Sequence, residues 1–93
     1  MIMVDEIQNW PNVKHRCFQK GFCHLTTDGD LGKLHAFAAG IGLRCEWFQD
    51  HPLAPHYDLS IARRTLAIRA GAVEISARDQ ARARIAARRL VNK

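Results

Sequence analysis

The spacing of hydrophobic residues divides the chain into short strands and longer helices. Apolar runs and alternating apolar and polar residues predict strands. Alternation is clearest after Gly21, where Phe22, His24 and Thr26 would share one face of a strand and the residues between them the other. Residues 7–21 show little periodicity and predict a long loop. The predicted strands are Ile2–Val4, Phe22–Thr27, Arg44–Phe48, His56–Leu59 and Val73–Ile75.

A helix is predicted after the second strand. The turn Asp28-Gly29-Asp30 supplies its N-terminal cap, and Gly42 is the expected C-terminal stop. Apolar residues recur between them at helical spacing and should face the core. These residues are Leu31, Leu34, Ala38 and Ile41.

Two further helices complete the pattern. Ser60 caps a helix that Gly71 ends, and Ser76–Asp79 has the capping-box pattern that opens a last helix at about residues 77–92. Strands that alternate with helices are typical of α/β proteins. We therefore expect residues 1–93 to form a single compact α/β domain, with about three helices packed on a small mixed, partly parallel sheet.

Composition places the chain among ordinary globular domains. It has 93 residues, of which 47% are hydrophobic and 25% charged. No apolar run approaches the roughly 20 residues that span a bilayer, and the N-terminus does not have a signal-peptide pattern. These features predict a cytoplasmic protein with no membrane segment. Cys17, Cys23 and Cys45 are odd in number and fit no tight metal-binding spacing, so we expect reduced thiols.

The net charge of +5 arises from the C-terminal segment alone. Acidic and basic residues balance up to Ser76, whereas residues 77–93 carry five arginines and one lysine against Asp79. The simpler interpretation is a solvated face on an Ala-rich helix. The alternative is a nucleic-acid-binding surface, although no aromatic residue is available there for base stacking. Its candidate residues are Arg78, Arg82, Arg88 and Arg89.

The segment Pro55–Ser60 gives the strongest indication of a functional site. On a strand, His56 and Asp58 project from the same face. Arg63 and Arg64 follow in the first turn of the next helix, where the helix dipole disfavours positive charge. A bound anion of the phosphate or nucleotide type would compensate for this charge. A neighbouring carboxylate such as Asp58 would do so equally, which would make the cluster a structural ion-pair network.

Other polar residues lie near strand ends and extend this site. If the strands are parallel neighbours, one crevice would collect five side chains: Asp5, His24, Asp28, His56 and Asp58. His56 or His24 is then the candidate general acid or base, with Asp58 orienting it. A divalent metal held by Asp5, Asp28 and a histidine is a further hypothesis, although helix capping alone would explain Asp28.

Aromatic residues and His24 have simpler interpretations as well. Tyr57 is a candidate ligand contact, but Tyr57 and Trp47 are also typical core aromatics. His24 is equally interpretable as a hydrogen-bonded structural histidine.

In order along the chain, these motifs resemble the small bacterial and phage proteins grouped as DUF4031, a domain of unknown function. The resemblance covers roughly residues 2–80, and Gly32-Lys33 departs from the acidic residues usual in relatives. Longer relatives with an appended HD-type phosphohydrolase domain imply phosphate or nucleotide chemistry by association only. The motifs that carry the resemblance are Val4-Asp5, His24-Leu25 with Asp28, Leu34–Ala38, Ile41-Gly42, Trp47–Gln49, His56–Asp58, Arg63-Arg64 and Gly71–Glu74.

Three functions are consistent with the sequence. The favoured one is a small anionic-ligand pocket, with or without catalysis and a divalent metal, in which Arg63 and Arg64 bind the anion. The second is a nucleic-acid-binding module that uses the C-terminal helix. The third is a non-catalytic interaction or regulatory protein, for which a homodimer is expected. A homodimer would also help so short a chain to enclose an active site. The sequence leaves open whether the protein is an enzyme.

Overall fold

The computed structural model describes residues 1–9 and 21–91, with side chains for all of these except residue 84 and residues 87–91. Most of the predicted loop at residues 7–21, together with Cys17, lies outside the described residues. The strands are β1 (Ile2–Val4), β2 (Phe22–Thr27), β3 (Tyr57–Ser60) and β4 (Val73–Glu74). The helices are α1 (Leu31–Gly40), α2 (Ile61–Arg69) and α3 (Ala77–Val91), with a short 3-10 helix at Cys45–Trp47.

The four strands form one mixed sheet in the order β3-β2-β1-β4. β2 runs antiparallel to both β1 and β3, and β1 pairs with β4 in parallel. The predicted α/β class, with three helices and a partly parallel sheet, is confirmed. The expectation that the strands bearing the polar residues are parallel neighbours is wrong. Hydrophobic spacing determines which face of a strand is buried, but it carries no information about strand direction.

One face of the sheet packs against α1 and α2. Alternation along β2 and β3 buries Cys23, Leu25, Tyr57 and Leu59 on this face, all at most 1% exposed. The helices contribute small and branched apolar residues that close over them. These are Leu34 and Ala38 from α1 and Ala67 from α2, with Leu43 and Ala72 beside the helix ends. Leu31, expected to face the core, is instead largely exposed in the first turn of α1.

Helix ends follow the predicted capping residues. Asp30 accepts a hydrogen bond from the Gly32 N–H, and the Ser60 hydroxyl accepts one from the Arg63 N–H. Gly42 has φ +85°, a left-handed conformation that glycine adopts without a Cβ penalty. The next N–H, from Leu43, donates back to the Ala38 carbonyl at 2.9 Å and closes a Schellman motif.

The predicted strand at Arg44–Phe48 is wrong, because the chain forms the 3-10 helix there. The Trp47 N–H donates to the Arg44 carbonyl and the Phe48 N–H to the Cys45 carbonyl. The apolar residues of this segment alternate as in a strand, but Cys45 and Trp47 are both exposed, so no buried face exists to hold a strand in place. Trp47 is therefore not a core aromatic. Its ring lies 5.4 Å from the Arg63 guanidinium in a cation–π contact.

The opposite face of the sheet is partly covered by the start of α3. Met3, Asp5, His24 and Thr26 alternate with the core residues and so project to this side. Gln80 of α3 is 1% exposed, and its amide donates to the Met3 and His24 carbonyls at 3.2 and 3.4 Å. α3 thus covers β1 and β2 near Met3 and Thr26 while His24 remains accessible at the edge of the covered region.

Candidate metal centre

Cross-strand pairing brings the predicted histidines and two of the carboxylates together. His24 of β2 is directly opposite Asp58 of β3, and Asp5 follows the register pair Val4–Leu25 on the other side of β2. Residues directly opposite in an antiparallel pair project from the same face. His56 precedes Asp58 by two residues and shares its face. The cluster therefore assembles across three strands, with β2 in the middle, and not beyond the ends of parallel strands.

Asp5 fixes the position and tautomer of His24. The carboxylate is 1% exposed and accepts three hydrogen bonds: from the His24 N–H at 2.6 Å, from His24 Nδ1 at 2.7 Å and from Gln8 Nε2 at 3.1 Å. An ionised carboxylate only accepts, so Nδ1 of His24 carries the proton. The lone pair is then on Nε2, on the side of the ring that faces Asp58.

His56 is held in the same tautomer by a different group. Its Nδ1 lies 2.6 Å from the carbonyl oxygen of Ala54. A carbonyl oxygen cannot donate, so Nδ1 of His56 is the donor, and Nε2 carries the lone pair when the ring is neutral. The His24 and His56 rings lie 5.0 Å apart between centroids and are nearly perpendicular, at 87°. The Nε2 atom of each ring lies within 4 Å of Asp58 Oδ1.

Asp58 completes the cluster between the two rings. Its Oδ1 lies 3.4 Å from His56 Nε2 and 3.8 Å from His24 Nε2, and its Oδ2 accepts a hydrogen bond from Gln49 Nε2. Partial burial of this carboxylate opposes ionisation. When the His56 ring is protonated, its Nε2 donates to Asp58; this hydrogen bond, the charge of that ring and the Gln49 amide outweigh burial, so the pKa of Asp58 is lowered.

The distances from Asp58 Oδ1 to the two Nε2 atoms, 3.4 and 3.8 Å, are close to those between ligands of one metal ion. His24, His56 and Asp58 each offer a ligand atom, and the three atoms lie within 4.8 Å of one another. Two ligands each about 2.1 Å from an ion at a tetrahedral angle are about 3.4 Å apart. Two imidazoles and one carboxylate suit Zn²⁺, Fe²⁺, Mn²⁺ or Co²⁺ and leave coordination positions for water and substrate. The Asp5–His24 and Ala54–His56 hydrogen bonds are of the kind that orient histidines in known metal sites.

A cleft of about 260 Å³ opens beside this cluster. His24 and His56 line one side of it, and the start of α3 lines the other. No lysine or arginine is among the described residues that line the cleft. The lining residues are Asp5, Gln8, His24, Thr26, Ala54, His56, Ala77 and Gln80.

The predicted anion-binding arginines lie elsewhere. Arg64 donates to the Asp5 carbonyl at 3.0 Å and pairs with Glu74 at 3.1 Å. Arg63 contacts the Gly42 carbonyl and Trp47. The acid that compensates Arg64 is thus Glu74 and not Asp58. Neither arginine is among the residues that line the cleft.

Two further predicted site residues also lie away from the cluster. Tyr57 is 1% exposed on the core face, where its hydroxyl is 2.7 Å from His35 Nδ1. Asp28 follows the last residue of β2, four residues after His24, and its carboxylate binds the N-terminal ammonium of Met1 at 2.7 Å. The structure therefore does not bring Asp28 to the histidines. Asp5 does contact His24, as the group that orients its ring.

The basic C-terminal helix is present as predicted. Arg78 and Arg82 are exposed, and Arg82 lies 3.9 Å from Asp79. The side chains of residues 88 and 89 lie outside those described. Binding of nucleic acid by this helix, and formation of a homodimer, stay predictions.

Several residues of the cleft and of the neighbouring cluster were not identified from the sequence. Thr26 shares a strand face with His24, a pattern visible in the sequence, but a lone threonine carries no chemical signal. Gln49 reaches Asp58 through the isolated bridge between Gln49 and His56, a long-range pairing that local spacing does not indicate. Gln80 resembles any polar residue of an exposed helix until α3 packs on the sheet.

The fold and the cluster define a small mixed α/β domain with a two-histidine, one-carboxylate site on the face of the sheet opposite the main core. The chain belongs to the family described as protein of unknown function, DUF4031, whose model matches residues 2–88. No curated protein and no solved structure matches the chain significantly. Among the described residues, no helix has both the length and the apolar character needed to cross a membrane.

Proposed function

We propose that the protein is a divalent-metal-dependent hydrolytic domain in which His24, His56 and Asp58 hold one metal ion. The observation that carries this proposal is the convergence of three ligand atoms within 4.8 Å, together with an acceptor on Nδ1 of each histidine. With Nδ1 engaged in this way, each ring would bind a metal ion through Nε2 in its neutral form.

A bound ion would also supply the positive charge for an anionic substrate. The described residues that line the cleft include no cationic side chain of the lysine or arginine type. A divalent ion with two neutral imidazoles and the Asp58 carboxylate has a net charge of about +1. We therefore propose that a phosphate-type anion binds at the metal, and that Arg63 and Arg64 do not bind it. The ion would polarise the phosphoryl oxygen and lower the pKa of a bound water, which is the chemistry of metal-assisted phosphoester hydrolysis.

Calorimetric titration of the purified protein with Zn²⁺, Mn²⁺ and Co²⁺ tests the metal site directly. We expect one ion per chain, and we expect His24→Ala, His56→Ala and Asp58→Asn each to weaken binding strongly. His51→Ala is the matched control, because His51 is an exposed loop histidine whose ring accepts a hydrogen bond from the nearby Leu53 N–H. Undiminished affinity in the His56→Ala protein would refute the site.

Phosphate binding then separates the metal from the arginines as the anion-binding group. We expect inorganic phosphate to bind the metal-loaded protein and not the metal-free protein. Arg63→Ala should leave phosphate affinity unchanged, since this side chain contacts Gly42 and Trp47. Phosphate binding that is independent of metal and lost on Arg63→Ala would favour the arginine pocket instead.

One metal-free alternative has support from a specific contact. The Asp5–His24 hydrogen bond of 2.7 Å is the arrangement that orients a general base, with Nε2 free to take a proton from water. Hydrolysis of a phosphoester that persists after exhaustive chelation, and is lost in His24→Ala, would select this mechanism over the metal.

A further inference from the structure

Thr26 is buried in the cleft with an unused hydroxyl. It lies on β2 two residues after His24, on the same face, and its residue exposure is 0%. Its Oγ1 is the one buried side-chain polar atom without a hydrogen-bond partner among the residues that the structure describes. A buried hydroxyl without a partner costs free energy, and an ordered water or a bound ligand would remove that cost.

The neighbouring buried polar groups contrast with Thr26. Gln80, equally buried beside it, donates both amide hydrogens to backbone carbonyls. Asp5 accepts three hydrogen bonds. The protein thus satisfies the other buried polar side chains of this cleft and leaves the hydroxyl of Thr26 for another molecule.

We propose that Thr26 Oγ1 binds a hydroxyl of the substrate, so that the substrate is a small hydroxylated phosphate ester. This inference rests on the proposed metal site, which would hold the phosphate. Side chains two residues apart on a strand are separated by about 7 Å, so the substrate hydroxyl lies about that distance along β2 from the group at His24. A cleft of about 260 Å³ has room for roughly nine water molecules at about 30 Å³ each. A phosphate with a chain of two to four carbons matches this space.

A pair of ligands that differ only in a hydroxyl tests the subsite. We would titrate the Zn²⁺-loaded protein with 3-hydroxypropyl phosphate and with n-propyl phosphate. The wild-type protein should bind the hydroxylated ligand roughly tenfold more tightly. Thr26→Val, which keeps the side-chain shape, should remove this preference and leave Zn²⁺ affinity and n-propyl phosphate affinity unchanged. Thr65→Val is the matched control, because Thr65 is exposed on α2 and bonds only the Ile61 carbonyl.

The outcomes separate this inference from the proposed function. Equal affinity of wild-type protein for the two ligands, with Zn²⁺ bound, would overturn the hydroxyl subsite and leave the metal site standing. Absence of Zn²⁺ binding would overturn both. Thr26→Ser retains the hydroxyl and should retain the preference. If Thr26→Val fails to fold, the wild-type comparison of the two ligands still decides the question.

Discussion

Replacing Asp5 by asparagine should weaken metal binding although Asp5 is not a proposed ligand. The carboxylate accepts hydrogen bonds from the His24 N–H, from His24 Nδ1 and from Gln8. An amide has one acceptor oxygen and a donor NH₂ group, so Asp5→Asn must place a donor opposite one of these donors. The imidazole relieves this clash by moving its proton from Nδ1 to Nε2, which removes the lone pair proposed to bind the metal.

The magnitude follows from the role of outer contacts in metal sites. Loss of such an orienting group typically costs 10- to 100-fold in metal affinity, or about 1.4–2.7 kcal/mol. The short distance of 2.7 Å and the 1% exposure of Asp5 favour the upper part of this range, because water does not replace the lost contact. Asparagine preserves the shape of the side chain, so we expect the protein to remain folded.

Two measurements check this prediction. Calorimetry gives the Co²⁺ or Zn²⁺ affinity, and long-range ¹H–¹⁵N NMR spectra of the metal-free protein report which nitrogen of His24 carries the proton. Asp28→Asn is the control, since it makes the same chemical change at a carboxylate that binds the N-terminal ammonium away from the histidines. A folded Asp5→Asn protein with wild-type metal affinity and an unchanged His24 tautomer would refute the reasoning.

Three further predictions concern the core, the thiols and pH. Leu34→Ala removes a fully buried side chain and should lower the free energy of unfolding, measured by urea denaturation, by about 2–5 kcal/mol. The metal stoichiometry should not change. A loss below about 1 kcal/mol would contradict the packing. In a Cys17→Ser background, Ellman's reagent should modify the exposed Cys45 rapidly and Cys23 only on unfolding. The reason is that burial raises the pKa of the Cys23 thiol to about 12. Equal modification rates for the two thiols would count against this burial. The lowered pKa of Asp58 should contribute stability that is present above about pH 4 and lost as the pH falls through the folded-state pKa. In Asp58→Asn, the free energy of unfolding of the metal-free protein should therefore fall less steeply with decreasing pH. The same acid dependence in both proteins would argue against this assignment.

The sequence predicted the elements better than their arrangement. The signals for these elements are local, because each acts over a few residues. Apolar and polar residues alternate along β2, Asp30 caps α1, Ser60 caps α2, and Gly42 follows the end of α1. The segment at Arg44–Phe48 shows the limit of such signals, since its alternation has no buried face behind it. Whether a strand pattern becomes a strand depends on a partner elsewhere in the chain.

The sequence predicted which residues form the cluster better than it predicted how they come together. His24, His56 and Asp58 do come together, as does Asp5, but through antiparallel register and not through parallel strand ends. The two arginines were predicted to bind the ligand because their partners in the structure are not their neighbours in sequence. Arg64 pairs with Glu74 and the Asp5 carbonyl, and Arg63 contacts the Gly42 carbonyl and Trp47. Charge near a helix start indicates that compensation exists, and only tertiary structure shows which group supplies it.

The placement of the proposed ligands on two neighbouring strands gives the metal a second consequence. His24 belongs to β2, whereas His56 and Asp58 belong to the chain entering and forming β3, so residues 25–55 would be closed into a loop by the ion. That loop contains α1, which covers part of the core through Leu34 and Ala38, and the 3-10 helix. An ion held only by the folded chain would join β2 to β3 and stabilise the folded state, because unfolding would have to release it. Metal supply would then set the lifetime of the folded protein as well as its chemistry, and amide hydrogen exchange throughout α1 should slow when the ion is added.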